Sequence, residues 1–213
     1  RSGRQRRYWS WNKSFISGTD VELNLSEWIP SWQQSGTELT LGGSWVNKYE
    51  KDEDIFVDPT HRLNLPKYVN AWDVRATLNT GPWSLLVEYA QKTQDPSFDN
   101  GYSYDRGSAF MFSGYYSQKG LSLLLQVKRS ENMSFRSRRS MLGTSSTINH
   151  LPAFTMEHTY TLPAYYPYAT QLVPGEWALQ AEAGYNFKRN TAVGGKYGMN
   201  VKANFSHVRW KGT

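Results

Sequence analysis

Apolar and polar residues alternate with a period of two along most of this chain, a pattern that predicts β-strands rather than helices. The longest alternating run covers residues 176–187. Trp177 and Leu179 begin its apolar face, whereas Gln180 and Glu182 lie on its polar face. The same pattern predicts nine strands, at about 14–25, 37–47, 68–79, 83–91, 108–117, 121–129, 158–171, 176–188 and 196–208.

The connections between these strands fall into two length classes. Turn-forming residues occupy three short connections, at 80–82, 118–120 and 172–175. Long polar segments occupy the connections on the opposite side, at 48–67, 91–107 and 130–157. The 26–36 connection belongs to the short side, is longer than expected there, and has room for a single helical turn capped by Ser26. This segregation predicts an antiparallel up-and-down meander.

A meander with one apolar and one polar face fits either a soluble barrel or a barrel in an outer membrane. Long loops at one end and tight turns at the other favour the membrane barrel. Aromatic residues near the strand ends favour it as well, because they resemble the girdles of an interface. The candidate girdle consists of Trp45, Trp72, Trp83, Tyr89, Tyr116, Trp177 and Tyr185. We therefore predict an all-β fold that is a segment of a transmembrane outer-membrane β-barrel.

The predicted strand number indicates that this segment is only part of the barrel. Bacterial single-chain barrels have an even number of strands, whereas nine are predicted here. The poorest of the nine is 158–171, because Pro163 and Pro167 cannot donate to a ladder. We expect residues 1–213 to form one domain, a partial barrel that is incomplete at both ends.

The composition of the chain excludes several kinds of functional site. The 213 residues include no cysteine, which excludes disulfides, thiolate zinc sites and a cysteine nucleophile. Four histidines are scattered without metal-ligand spacing. The net charge of +6 comes from loops and does not interleave with strand aromatics, which argues against nucleic-acid binding. We expect no enzymatic activity, no cofactor and no bound metal.

Five segments carry a resemblance to a known family: DIFVDPTH at 54–61, DPSFDN at 95–100, NMSFRS at 132–137, INHLPAFT at 148–155 and GYNFKR at 184–189. The chain resembles an uncharacterised family of outer-membrane β-barrel proteins from Bacteroidota, over most of its length. The resemblance implies a longer parent protein with a signal sequence and an outer-membrane location. It implies no activity and no catalytic residue.

Charged residues on the polar face are candidates for lining the lumen: Asp20, Glu22, Glu38, Asp73, Arg75, Glu88, Lys128, Glu182 and Lys202. If the lumen holds water, the excess of carboxylates predicts a weak preference for cations. Alternatively, charges of both signs pair across the ladder and fill a closed barrel. In that case Asp73 and Arg75 are expected to pair with each other or with Glu88.

A basic stretch in the 130–157 loop and the end of the preceding strand is a second candidate. Its arginines are Arg129, Arg136, Arg138 and Arg139. They can contact lipopolysaccharide phosphates or fold inward and constrict the lumen, and a plain solvated loop is the third interpretation. Two acidic loops, around 52–58 and 95–105, are better explained by turn chemistry than by calcium binding.

The sequence thus predicts a non-enzymatic, integral outer-membrane barrel segment that is structural, channel-like or partner-binding. Its expected partners are outer-membrane lipid, lipopolysaccharide and other outer-membrane proteins. Two alternatives stay open. One is a scaffold component that docks onto an outer-membrane complex through its long loops, and the other is a soluble barrel that binds a lipophilic ligand.

Overall fold

A computed structural model describes residues 14–51, 54–139 and 175–210 of the chain. Strands make up most of this part, and the helices are short and lie in connections between strands. The strands are β1 (Ser14–Asn24), β2 (Glu38–Glu50), β3 (Phe56–Asp58), β4 (His61–Arg62), β5 (Tyr68–Thr80), β6 (Trp83–Lys92), β7 (Gly107–Gln118), β8 (Leu121–Glu131), β9 (Glu176–Phe187) and β10 (Met199–Trp210). The helices are α1 (Pro30–Ser35) and two 3₁₀ turns, Leu25–Trp28 and Phe98–Asn100. None of these helices is long and apolar enough to cross a membrane.

Eight of the strands form one antiparallel sheet in the order β1-β2-β5-β6-β7-β8-β9-β10. Each strand therefore pairs with its neighbours along the chain, apart from the small separate hairpin β3–β4. The up-and-down meander predicted from the alternating pattern is confirmed. Among the described residues the eight strands form an open sheet and do not close into a barrel.

One predicted strand is missing from its expected place in the sheet. Strand β8 pairs directly with β9, from Leu121 opposite Tyr185 to Ser130 opposite Glu176. The stretch 158–171 lies outside the described residues, but no strand lies between β8 and β9 in the sheet. Residues 172–174, expected to form a turn on the short side, lie outside the described residues as well, but Gly175 and the start of β9 lie at the opposite end of the sheet. β9 starts at the end of the sheet that carries the long loops.

The connections at the short end show how the turns are made. Gly81 and Gly120 have φ values of +52° and +88°, which side chains other than glycine rarely adopt. In the 25–37 connection the cap was wrongly assigned to Ser26, because the side chain of Asn24 accepts the hydrogen bond from the Ser26 backbone N–H. Helix α1 then begins at Pro30 and ends at Ser35, followed by Gly36 as a cap in the left-handed conformation.

The register places the two faces of the sheet as the alternation predicts. We call them the apolar face and the polar face. The apolar face is exposed, as shown by Val21, Val74 and Phe205, whose exposed fractions are 55%, 53% and 59%. Most of the buried positions lie on the polar face at the end with the long loops, which we call the loop end. They include Lys48, Lys92 and Lys128.

Candidate functional site

The nine candidate lumen residues all lie on the polar face. Cross-strand pairing shows this directly, because residues opposite each other in a ladder share a face. Arg75 lies opposite Glu88, and Asp73 lies opposite Ser44, which in turn lies opposite Asp20. The remaining candidates follow the same parity, from Glu38 on β2 to Lys202 on β10.

Arg75 gathers the charges in the middle of this face. Its guanidinium donates to Asp20 at 2.7 Å and to Glu22 at 2.9 Å, both on β1, and to Asp73 at 3.2 Å. The side chain reaches β1 by lying across Gly42 of β2, where a Cβ atom would come within 2.6 Å of Arg75 Nε. A glycine at this position therefore permits the contact.

This arrangement differs in part from the predicted pairing. The Asp73–Arg75 pair is present, but the main partners of Arg75 are Asp20 and Glu22, two strands away, rather than Glu88 on the adjacent strand. The arginine side chain is long enough to cross one strand when that strand presents no Cβ atom. On the same face, near the opposite edge of the sheet, Lys202 and Glu182 form a looser pair at 3.7 Å.

The most buried charges form a cluster at the loop end, which we call the loop-end cluster: Lys48, Glu50, Lys92, Asp95 and Arg139. Lys48 Nζ donates to both carboxylate oxygens of Asp95, at 2.9 and 3.0 Å, and lies 3.5 Å from Glu50. Arg139 donates to Glu50 through its Nε at 3.0 Å and through its backbone N–H at 3.1 Å. Every member of the cluster has an exposed fraction of 2% or less.

Lys92 completes the cluster from the end of β6. Its ammonium lies 3.9 Å from Asp95 and donates to the backbone carbonyl of Ser134. Burial lowers the pKa of Lys92 to about 8, and the nearby charge of Asp95 opposes this shift without cancelling it. Lys92 lies three residues beyond Tyr89 of the candidate girdle, at the loop end.

Two loops supply the partners that bury these charges. Asp95 belongs to the loop 93–106 and Arg139 to the loop 132–139, and both loops lie over the polar face. The loops are joined to each other where Asn100 donates to the side chain of Asn132 at 2.9 Å. A second link is made by Asp99, which pairs with Arg136 and accepts from Ser134 at 2.9 Å.

A small apolar core supports the same loops. Its members Leu65, Val69, Ala109, Phe135 and Ala178 are all buried, with exposed fractions between 0% and 8%. The Phe135 ring lies 5.5 Å from the ammonium of Lys48, within the range of a cation–π contact. At the same end of the sheet, Lys128 and Glu176 form a buried ion pair at 2.6 Å between β8 and β9.

The four arginines of the basic stretch separate into different environments. Arg136 and Arg139 are buried in ion pairs, so the solvated-loop interpretation is wrong for these two. Arg138 is half-buried. Arg129 lies on the apolar face, over the ring of Trp177 at 5.5 Å, and pairs with Glu131 at 3.1 Å.

The seven girdle candidates all lie on the apolar face, at two levels. Trp45 and Trp72 are directly opposite each other near the loop end, and Trp83 and Tyr116 are opposite each other near the short end. The rings of the second pair are 4.6 Å apart, and the Trp72 and Tyr89 rings are 5.7 Å apart. The other two members, Trp177 and Tyr185, mark the two levels on β9.

Sequence reasoning missed the loop-end cluster. Lys48 and Lys92 have the parity of the polar face, which is a usable signal, but both were assigned to loops that begin near them. Asp95 was assigned to turn chemistry, and its ion pair crosses 47 positions of the chain. Within the described part of the chain, no group of histidine and acidic side chains is arranged to hold a metal ion.

Comparison with known proteins places the chain without assigning it an activity. The model of a family of unknown function, DUF6029, matches residues 2–211. This agrees with the expected membership of an uncharacterised family. No curated protein and no solved structure matches the chain.

Proposed function

We propose that the chain, which belongs to the DUF6029 family of unknown function, forms part of a membrane-spanning β-barrel in an outer membrane. In this proposal the apolar face contacts lipid and the polar face lines the interior. The barrel has a structural role and no catalytic one, and the loops 93–106 and 132–139 close its interior at the loop end.

The observation that carries the proposal is the inverted burial of the sheet. Lysines 48 and 92 are fully buried, whereas Val21, Leu123 and Val201 on the other face are 55%, 41% and 44% exposed. Soluble proteins rarely bury lysine and rarely expose apolar patches of more than a few hundred Å². In a bilayer the same arrangement is favourable, because apolar side chains meet lipid and charges pair in the interior.

Strand length and girdle spacing fit the thickness of a membrane. The eight sheet strands have 10 to 13 residues each, and a tilted membrane strand needs about 9–11. On β9, Trp177 and Tyr185 are eight positions apart, about 26 Å along the strand at roughly 3.3 Å per residue. A strand tilt of about 35–45° reduces this to roughly 19–22 Å across the membrane, somewhat less than the apolar band about 25 Å tall of outer-membrane barrels.

A docking role is the second candidate, and exposed aromatic side chains near the loop end support it. Phe56 and Phe98 lie outside the large sheet and are 61% and 57% exposed. These rings can contact another outer-membrane protein, as the scaffold alternative requires. The soluble barrel with a lipophilic ligand would need the apolar face to enclose that ligand, whereas Val21, Val74 and Phe205 on this face are exposed in the open sheet.

Spin labels along β8 test which face meets lipid. Labels at Leu123 and Leu125 of the full-length protein in liposomes should be accessible to oxygen and protected from a water-soluble nickel chelate. Labels at Ser122 and Gln126, one position away on the polar face, are the matched controls and should show less oxygen access. Nickel access at Leu123 and Leu125 equal to that of an exposed turn residue such as Lys119 would refute the proposal.

Planar-bilayer recording tests whether the interior is closed. With the loops packed over Lys48 and Lys92, we expect the full-length protein to insert without stable conductance. Weakening the packing with Asp95→Asn should allow channel openings, with a preference for cations because of the carboxylates around Arg75. Stable, large conductance of the unmodified protein would contradict closure by these loops and leave an open pore.

A further inference from the structure

A row of alternating arginine and tryptophan crosses three strands on the apolar face. Arg129 on β8 and Arg209 on β10 both lie opposite Trp177 on the intervening strand β9. Two strand spacings of about 4.8 Å put the two arginine backbones roughly 10 Å apart. Both side chains are exposed enough to reach solvent or headgroups, and Trp177 is 46% exposed between them.

The row stands at the boundary of the apolar band. One step toward the short end, the next row is made by His207, Leu179 and Val127, and it continues with Phe112 and Val87. One step toward the loop end, the residues of the apolar face are polar: Glu131, Ser108 and Gln91. Two guanidiniums therefore lie where an apolar surface changes to a polar one, which is the depth of lipid headgroups.

The arginines have donors to spare at this position. Arg129 gives one contact to Glu131, and its Nε is buried without a hydrogen-bond acceptor among the described residues. In the row one step toward the loop end, Glu131 is the one carboxylate that the described residues of these three strands place on the apolar face, so the two guanidiniums outnumber it. Stacking over Trp177 holds the Arg129 guanidinium in place and reduces the entropy lost on binding.

We propose that Arg129, Trp177 and Arg209 form a binding site for the phosphate of a membrane lipid at the loop-end interface. Each guanidinium can donate two parallel hydrogen bonds to phosphate oxygens, and the tryptophan ring packs against the glycerol or sugar part of the headgroup. The site rests on the proposed membrane barrel, since only that placement brings lipid to this face.

Lipid selectivity measured by electron paramagnetic resonance tests the site. The full-length protein is placed in phosphatidylcholine vesicles that contain a small fraction of spin-labelled phosphatidic acid, or of spin-labelled phosphatidylcholine for comparison. We expect the protein to retain phosphatidic acid preferentially. Arg129→Gln and Arg209→Gln should each reduce that preference by roughly 5-fold, since one basic residue near an anionic membrane surface contributes about 1 kcal/mol.

The matched control is Lys119→Gln, which removes one positive charge from an exposed turn at the opposite end of the sheet. It should leave the preference unchanged. An equal loss in the control, or no loss in the double variant Arg129→Gln/Arg209→Gln, would overturn the site. Displacement of phosphatidic acid by inorganic phosphate, but not by chloride of the same ionic strength, would overturn the assignment to a lipid and indicate a site for a soluble anion.

Oxygen accessibility at position 123, recorded in the same vesicles, separates the two proposals. If position 123 is buried in lipid while phosphatidic acid is not preferred, the phosphate site is wrong and the membrane barrel stands. If position 123 is accessible to the nickel chelate, the barrel proposal fails and the phosphate site fails with it.

Discussion

The Asp95 carboxylate holds the loop-end cluster together, and replacing it by asparagine should release the loop 93–106. Asp95 Oδ1 lies 2.9 Å from Lys48 Nζ. At an effective dielectric constant near 20, a charge pair at that distance contributes about 6 kcal/mol of Coulomb energy before the loss of hydration is subtracted. Asp95→Asn removes this attraction and leaves Lys48 with Glu50 as its remaining carboxylate partner, at 3.5 Å. Breaking a buried pair in this way costs about 3–5 kcal/mol.

Urea unfolding of the reconstituted full-length protein measures the cost, and limited proteolysis shows whether the loop 93–106 is released. The matched control is Asp54→Asn. Asp54 pairs with Arg62 where the two side chains are 66% and 48% exposed, so its loss should cost at most about 1 kcal/mol.

A double variant separates the contribution of the ion pair to stability from the contribution of side-chain packing. Lys48→Met/Asp95→Leu removes both charges and keeps apolar volume, so it should recover most of the lost stability. If Asp95→Asn costs no more than Asp54→Asn, or if the double variant is as unstable as the single one, a buried ion pair is not what holds this loop.

Three further predictions concern single positions. Lys92 has a pKa near 8 in the folded protein and an ordinary value of 10.5; between these values the unfolded chain binds the proton that the folded protein has released. The free energy of unfolding of the protein should therefore rise between pH 8 and pH 10.5, by up to about 3 kcal/mol, and this rise should be absent in Lys92→Met. Gly107→Ala should destabilise the protein by about 1–3 kcal/mol, because the new Cβ overlaps a backbone carbonyl of the loop 132–139, whereas Gly43→Ala, with its nearest atom at 3.4 Å, should be tolerated in a comparison of urea midpoints. Trypsin added to intact cells should cut at the exposed Arg106 and spare the buried Arg139, and mass spectrometry of the fragments shows which bond is cleaved.

Local pattern was sufficient to predict the sheet strands and their faces. Side chains of a strand alternate between its two faces, so the parity of Val74 and Asp73 already places one on each side. Tight turns such as 118–120 then make neighbours antiparallel, and the register follows. The direct pairing of β8 with β9 shows the limit of this reasoning. A pattern can suggest a strand, but whether a strand is inserted between β8 and β9 depends on the pairing of distant residues.

The partners of the charged residues were not predictable from the sequence. Arg75 has a carboxylate opposite it on the next strand, yet it reaches two strands away because Gly42 leaves room for its side chain. The basic stretch was interpreted by its composition alone, and its four arginines have different surroundings: Arg136 and Arg139 are buried against carboxylates and Arg129 lies on the apolar face.

The sequence by itself determined the all-β class, the order of the meander and which side chains share a face, because these depend on a period of two and on turns between adjacent strands. Only the tertiary structure decided which face is buried. Alternation is the same whether the apolar side points inward or outward, and the choice depends on what covers each face. Here the loops 93–106 and 132–139 fold over Lys48 and Lys92, and the contact between Arg139 and Glu50 joins residues 89 positions apart. Such contacts depend on how the loops fold back onto the sheet, which no local pattern of residues encodes.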